Sequence, residues 1–157
     1  YIADNALSTW IGPDNHPEFV SPVGDYVYQT LFDLTGFDPT TASLTGQWAT
    51  DNNGVDILIN GTSLSIIDPL QDFLTPFNSF SAGFKPFTVA GGFVPGVNYL
   101  DFVVRNGFTG TTPSDNPTAL RVEVSGTASV PVPEPATLLL LGSGLVGLAA
   151  WRRKYAA

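Results

Sequence analysis

The residues best suited to chemistry in this 157-residue chain crowd into one turn, where Asp51, Asn52, Asn53 and Asp56 surround Gly54. Carboxylate and amide oxygens are the hard donors that a calcium ion takes, and Asp51, Asn53 and Asp56 would be its ligands. The spacing lacks the long loop and terminal glutamate of the commonest calcium motif. Asx residues also build turns on their own account, so the cluster has an explanation without an ion. Beyond a structural calcium, nothing in the sequence calls for a cofactor. A second set is aromatic: Trp10 and Trp48, with Tyr26, Tyr28 and Tyr99, would stack on the apolar face of a sugar ring or pack inside a core. His16, the single histidine, sits between Pro13 and Pro17 beside Asp14 and Glu18. Serines to complete a triad abound, but no Gly-x-Ser-x-Gly elbow accompanies them. Carboxylate pairs arise by chance among so many acids, with no mark of a shared cleft. The sequence therefore predicts a protein that is not an enzyme and has no catalytic residues.

Elements must position these groups, and composition bounds what they are. An apolar fraction of 43% with 12% aromatic residues supports a core, while 16 Gly and 13 Pro imply many turns, the profile of an all-β chain. Cysteine is absent, which excludes disulfides, thiolate metal sites and cysteine nucleophiles. Methionine is absent too, and the expectation is that an export signal has been removed from the N-terminus. Residues 1–133 carry 13 acidic side chains against Lys85, Arg105 and Arg121 alone, a net charge of −10. Phosphate backbones need clustered Lys and Arg, so nucleic acid is excluded as a partner.

Apolar and polar residues alternate over Asp25–Leu34, Val55–Asn60, Tyr99–Arg105 and Leu120–Val124, the period of half-buried strands. Tyr26, Tyr28, Phe32 and Leu34 share one face, and so do Val55, Ile57 and Ile59. Asn60-Gly61 supplies the positive backbone angles of a tight hairpin, with Thr62–Ile66 returning. The segments 99–105 and 120–124 read as paired core strands. Phe73, Phe77, Phe80, Phe84 and Phe87 fall in a Gly/Pro-punctuated stretch and read as core and lid packing. Short strands with long connections, and no crossover helices, predict an all-β two-sheet sandwich of the jelly-roll kind.

The C-terminus differs in kind. From Pro135 to Trp151 no residue is charged, and Arg152, Arg153 and Lys154 follow. Seventeen such residues meet the lower limit, about 17, for a membrane-spanning helix, and Trp151 suits the interface while the three bases stay cytoplasmic. Leu138, Leu139, Leu140 and Leu141 would face lipid. Ser143, Gly144 and Gly147 leave room for another helix to approach. The organisation expected is an extracytoplasmic β-sandwich over 1–129, a Pro-rich linker over 130–135, a transmembrane helix over 136–151 and a basic cytoplasmic tail over 152–157.

The order Val132-Pro-Glu-Pro-Ala, then a short apolar helix, then Arg152-Arg-Lys154 closely resembles the PEP-CTERM sorting signal of bacterial exported proteins. The resemblance implies that Pro133, Glu134 and Pro135 are recognised by a membrane-embedded exosortase that cleaves near them, in hosts that make exopolysaccharide or biofilm matrix. The runs Gly46–Gly61 and Gly96–Asn106 are similar to the galactose-binding-like jelly roll, in which a tryptophan strand leads through an Asp/Asn turn to an Ile-Asn-Gly hairpin. That similarity implies a sugar-binding or purely structural module, with polysaccharide as the candidate partner.

Two functional readings follow. The first is an exported protein on the outer face of the inner membrane or in the extracellular matrix, anchored through its tail, with a binding or structural sandwich in the periplasm or beyond. The second is an accessory structural subunit of an inner-membrane complex, photosynthetic or respiratory for example, whose single helix packs against neighbouring transmembrane helices.

Overall fold

In the computed structural model the described residues are 2–13, 20–68, 83–107, 116–131 and 136–155. The strands are β1 (Val20–Ser21), β2 (Gly24–Asp33), β3 (Asp38–Asp51), β4 (Asn53–Ile59), β5 (Thr62–Ser63), β6 (Lys85–Val89), β7 (Val97–Asn106), β8 (Asn116–Pro117) and β9 (Ala119–Ser129), and the helix α1 spans Ala136–Tyr155. They form one sheet in the order β2-β7-β4-β5, a second in the order β6-β3-β9, and a small β1-β8 pair. These strands pair antiparallel, and the two larger sheets make the expected sandwich.

Period-2 alternation decides which side chains meet between the sheets. Leu100, Phe102 and Val104 of β7 and Ile57 and Ile59 of β4 pack against Trp48 of β3, Phe87 and Val89 of β6, and Leu120 of β9. The Trp48 and Phe102 rings lie 5.9 Å apart, and Phe87 meets Phe102 edge-on at 5.7 Å. Asn60 and Gly61 take the predicted positive φ angles, 50° and 78°, and close the two-residue hairpin that pairs Ile59 with Thr62. Its return strand is only Thr62–Ser63, shorter than the 62–66 expected. The chain leaves the ladder at Ser65, which has φ 55°.

Two expectations need correction. The segments read as paired, now β7 and β9, lie in different sheets: β7 sits between β2 and β4, and β9 pairs with β3. Alternation marks a half-buried strand but carries no information about its neighbour. The second correction concerns residues 136–151. They are helical, but no helix among the described residues is long and apolar enough to cross a membrane. The uncharged stretch Ala136–Trp151 rises about 24 Å at 1.5 Å per residue, short of the roughly 30 Å hydrocarbon layer. Continuing it brings in Arg152, Arg153 and Lys154, which hydrocarbon disfavours.

Near the β3–β4 corner the sheet β6-β3-β9 is covered on both faces. Its outer face carries Ala49 and Arg121, both buried, because residues 2–10 lie across it. The Arg121 guanidinium donates to the carbonyls of Ile2 (3.2 Å) and Ala3 (2.6 Å) and to Ser8 Oγ (2.9 Å), and Phe84 stacks over it at 5.0 Å. Glu123 accepts from Asn5, Ser8 and Gln47, and Ile11 bridges Leu120. One buried cation thus organises the strap, since each carbonyl it binds belongs to a segment more than 100 residues away in sequence.

Two substitutions test this packing. A Cβ at Gly54 would stand 2.5 Å from Trp48 Cη2 and 2.8 Å from Asp68 Cβ, whereas one at Gly91 meets nothing within 4 Å. Gly54→Ala is expected to cost about 1–3 kcal/mol by overpacking, and Gly91→Ala to be neutral, both read by urea denaturation. Arg121→Ala leaves the strap's carbonyls unpaired; it is expected to cost about 3 kcal/mol and to expose residues 2–10 to amide hydrogen exchange.

Candidate functional site

The sorting triplet Pro133, Glu134 and Pro135 lies outside the described residues, between the end of β9 and the start of α1. What the structure supplies is its setting. The long strand β9, held along its length by β3, ends at Ser129, whose amide donates to Thr41 Oγ1 (2.9 Å). After the triplet, α1 begins at Ala136 with no acidic residue in its first turn and with Arg152, Arg153 and Lys154 in its last. The basic end therefore complements the helix dipole. Leu140, Leu141, Leu145, Val146, Leu148 and Trp151 are each 59–73% exposed. Every described residue of α1 is exposed, and at 100° per residue these are spread around the helix, so α1 is uncovered at its described residues and suited to apolar surroundings. Gly144 adds an open position with nothing near it, and Ser143 Oγ bonds back to the Leu140 carbonyl (3.0 Å), satisfying its hydroxyl within the helix. Leu138, Leu139 and Gly147 share the helical backbone; their side-chain surroundings are outside the description.

The oxygen-rich turn is the corner where the chain passes from β3 to β4. Asp51 closes β3, Asn53 opens β4 opposite Arg105, and Asn52 Nδ2 donates to Asp51 Oδ1 (2.9 Å). Asp56 resumes the ladder after the Gly54/Asp56 bulge, where its carboxylate accepts from the Ile57 amide (2.8 Å), the Ile66 amide (3.2 Å) and Ser63 Oγ. Asp56 thus ties down the chain after the hairpin. Among the described residues no group of three or more His, Cys, Asp or Glu is placed to hold a metal ion.

Of the aromatic candidates, Trp48 is fully buried in the core. Trp10 belongs to the strap and donates from Nε1 to the Ile2 carbonyl (2.8 Å). Tyr26 is spent on the Pro22 carbonyl (2.8 Å), Tyr28 packs against the core, and Tyr99 is exposed on the outer sheet face. Phe87 is core and Phe84 covers Arg121; Phe73, Phe77, Phe80 and His16 lie outside the described residues. The sequence reading missed an aromatic hollow of about 500 Å³ at one end of the sandwich, lined by Phe32, Phe37 and Phe93 with Leu44 and Ser43. Phe32 and Phe93 meet edge-on at 6.1 Å. Its signal in sequence was faint, because the three rings come from a strand and two loops.

Sequence reading also missed Asp68, a buried carboxylate at the β3–β4 corner. Its backbone pairs with Gly54 through two 2.9 Å bonds, and Thr50 Oγ1 donates to its Oδ2 (3.3 Å). Burial pushes its pKa above 3.8, an effect that the positive charge of Lys85 and the Thr50 bond only partly oppose. On the outer sheet face Asp25 shows the reverse, since a two-pronged bond from Arg105 (2.6 and 2.8 Å) holds its carboxyl below 3.8.

The two carboxylates should act oppositely on stability. Asp68 binds its proton more tightly folded than unfolded, so its contribution falls as pH rises from 3.8 through its raised pKa; Asp25 contributes above 3.8 and loses that contribution as pH falls through its lowered one. Asp68→Asn is therefore expected to be more stable than the parent at pH 7 and to converge with it below pH 4, in denaturant titrations across pH. A constant difference would show that ionisation of Asp68 is not its cause.

A comparison with curated proteins found no match. A comparison with family models matched residues 131–154 to the PEP-CTERM protein-sorting motif, which spans the Pro-Glu-Pro triplet, α1 and the three bases and implies export with processing by exosortase at the membrane.

Proposed function

We propose that this protein is a non-enzymatic β-sandwich delivered to the outside of the cytoplasmic membrane, held there through its tail and released to the cell surface or matrix by cleavage near Pro133–Pro135. The observation that carries this reading is the three-part tail at 131–154. The exposed apolar circumference of α1 and its terminal bases support membrane engagement during sorting. A binding or structural role accords with carboxylates committed to holding the fold, as Asp56 and Glu123 are. The galactose-binding-like jelly-roll relationship belongs to the same proposal; Trp48 leading into the Asp51–Gly54 corner and the Asn60-Gly61 hairpin support it. For a polysaccharide partner, the hollow of Phe32, Phe37 and Phe93 offers apolar ring faces.

Intact mass of the protein from its native host tests the proposal. Cleavage at the triplet is expected to yield a chain ending near Pro133–Pro135 in the cell-surface or medium fraction. Glu134→Ala is expected to keep the full 16.6 kDa in the membrane fraction. A parent chain that retains its tail and travels with a membrane complex would overturn the proposal in favour of an accessory subunit.

A further inference from the structure

The edge of the β2-β7-β4-β5 sheet has an unusual composition. β2 pairs with β7 over all ten residues, Gly24 to Asp33, without a register shift, and among the described strands it has no neighbour on its other side. Exposed edge strands are normally blunted by lysine, proline, a bulge or short length. β2 has none of these. Its outer face carries Val27 and Leu31, 61% and 58% exposed, beside Val97 and Tyr99 of β7. Its inner side borders an apolar slot of about 300 Å³, floored by Phe102, Leu120 and Val122 and banked opposite by Leu7 and Ile11.

Charge selects the occupant. The chain carries −8 overall, yet the seven residues Tyr26–Phe32 carry none. Asp25 at one end is paired with Arg105, Asp33 at the other accepts from the Thr35 amide (2.7 Å), and Asp101 beside the strand is bonded to Gln29 Nε2 (2.8 Å). On so acidic a molecule, an uncharged run is a place where two copies approach with little repulsion. The strand is also self-complementary. An antiparallel pairing about a two-fold axis at Gln29 sets Val27 against Leu31 of the other copy, Tyr28 against Thr30 and Tyr26 against Phe32, and at each end Asp25, with Arg105 beside it, against Asp33. Apolar residues meet on the outer face, and the slot is covered by the partner's inner residues. We propose that β2 is a homotypic docking edge, joining two copies into one continuous eight-stranded sheet with isologous symmetry.

The absence of cysteine makes the test direct. In full-length protein in detergent, Gln29→Cys places two thiols opposite each other across the two-fold axis. Mild oxidation is expected to give one reducible covalent dimer, while Ala90→Cys, exposed on the far side of the second sheet, gives none. Gln29→Lys sets two cations at the axis and is expected to convert dimer to monomer in sedimentation velocity with an unchanged circular dichroism spectrum. Absence of the Gln29→Cys cross-link overturns the proposal. So does a dimer that persists in Gln29→Lys, which would place the contact elsewhere, in the tail helix for instance.

Discussion

The sandwich turns on the corner at Asn52, the one residue between the end of β3 in one sheet and the start of β4 in the other. A chain that changes sheets so abruptly turns backbone groups inward where no ladder can satisfy them, and buried polar groups without partners cost about 1–3 kcal/mol each. The sequence answers with short polar side chains from distant elements. Thr118 Oγ1 donates to the Asp51 carbonyl (2.6 Å), Thr50 Oγ1 to the Asn52 carbonyl (3.1 Å), and the Gly107 amide to Asn52 Oδ1 (3.1 Å). Asn106 Nδ2 continues the network to the Ser21 carbonyl (2.7 Å). Trp48 lies just before the corner and Gly54 just after it, and the largest core ring packs directly against Gly54. Core packing and corner chemistry are therefore one constraint.

The two sheets answer solvent differently, and this asymmetry explains most of the outer surface. Near the corner β3 and β9 bury both faces, one against the core and one beneath residues 2–10, which is why Arg121 sits buried among carbonyls. β2 and β7 cover one face only, and their outer residues remain partly to largely exposed. A cation fixed at the centre of the covered sheet and an uncharged edge on the open one are two consequences of where the N-terminal segment lies.

Much of this was legible in sequence where the determinant is local. The alternation of β2, β4 and β7, the Asn60-Gly61 hairpin and the tail follow from neighbouring residues. Pairing was not legible, because β7 meets β2 about 70 residues away while β9, similar in pattern, meets β3. The first part of β3 was hidden by its own composition, since Asp38–Gly46 is mostly Thr, Ser and other small or polar residues, and the space over Gly46 is filled by Phe87 from across the ladder. The oxygen cluster at 51–56 was seen at once, but spacing could not tell a corner from an ion site. The hydrogen bonds of Asp56 to Ser63 and Ile66 depend on a hairpin that brings residues 7 and 10 positions away back to it.

Sandwich and tail share a chain without sharing a core. Among the described residues the buried side chains run from Ser21 to Arg121, and β9 itself grows exposed beyond Val122 before it ends at Ser129. The helix α1, apolar on every side, places its large side chains largely outside any intramolecular contact. A cut near the Pro-Glu-Pro triplet would thus remove no residue of this buried set and break no strand pairing. The buried core resides in one part of the molecule and the exposed apolar helix with its basic end in the other, a separation that would leave the sandwich intact if the sorting motif were cut.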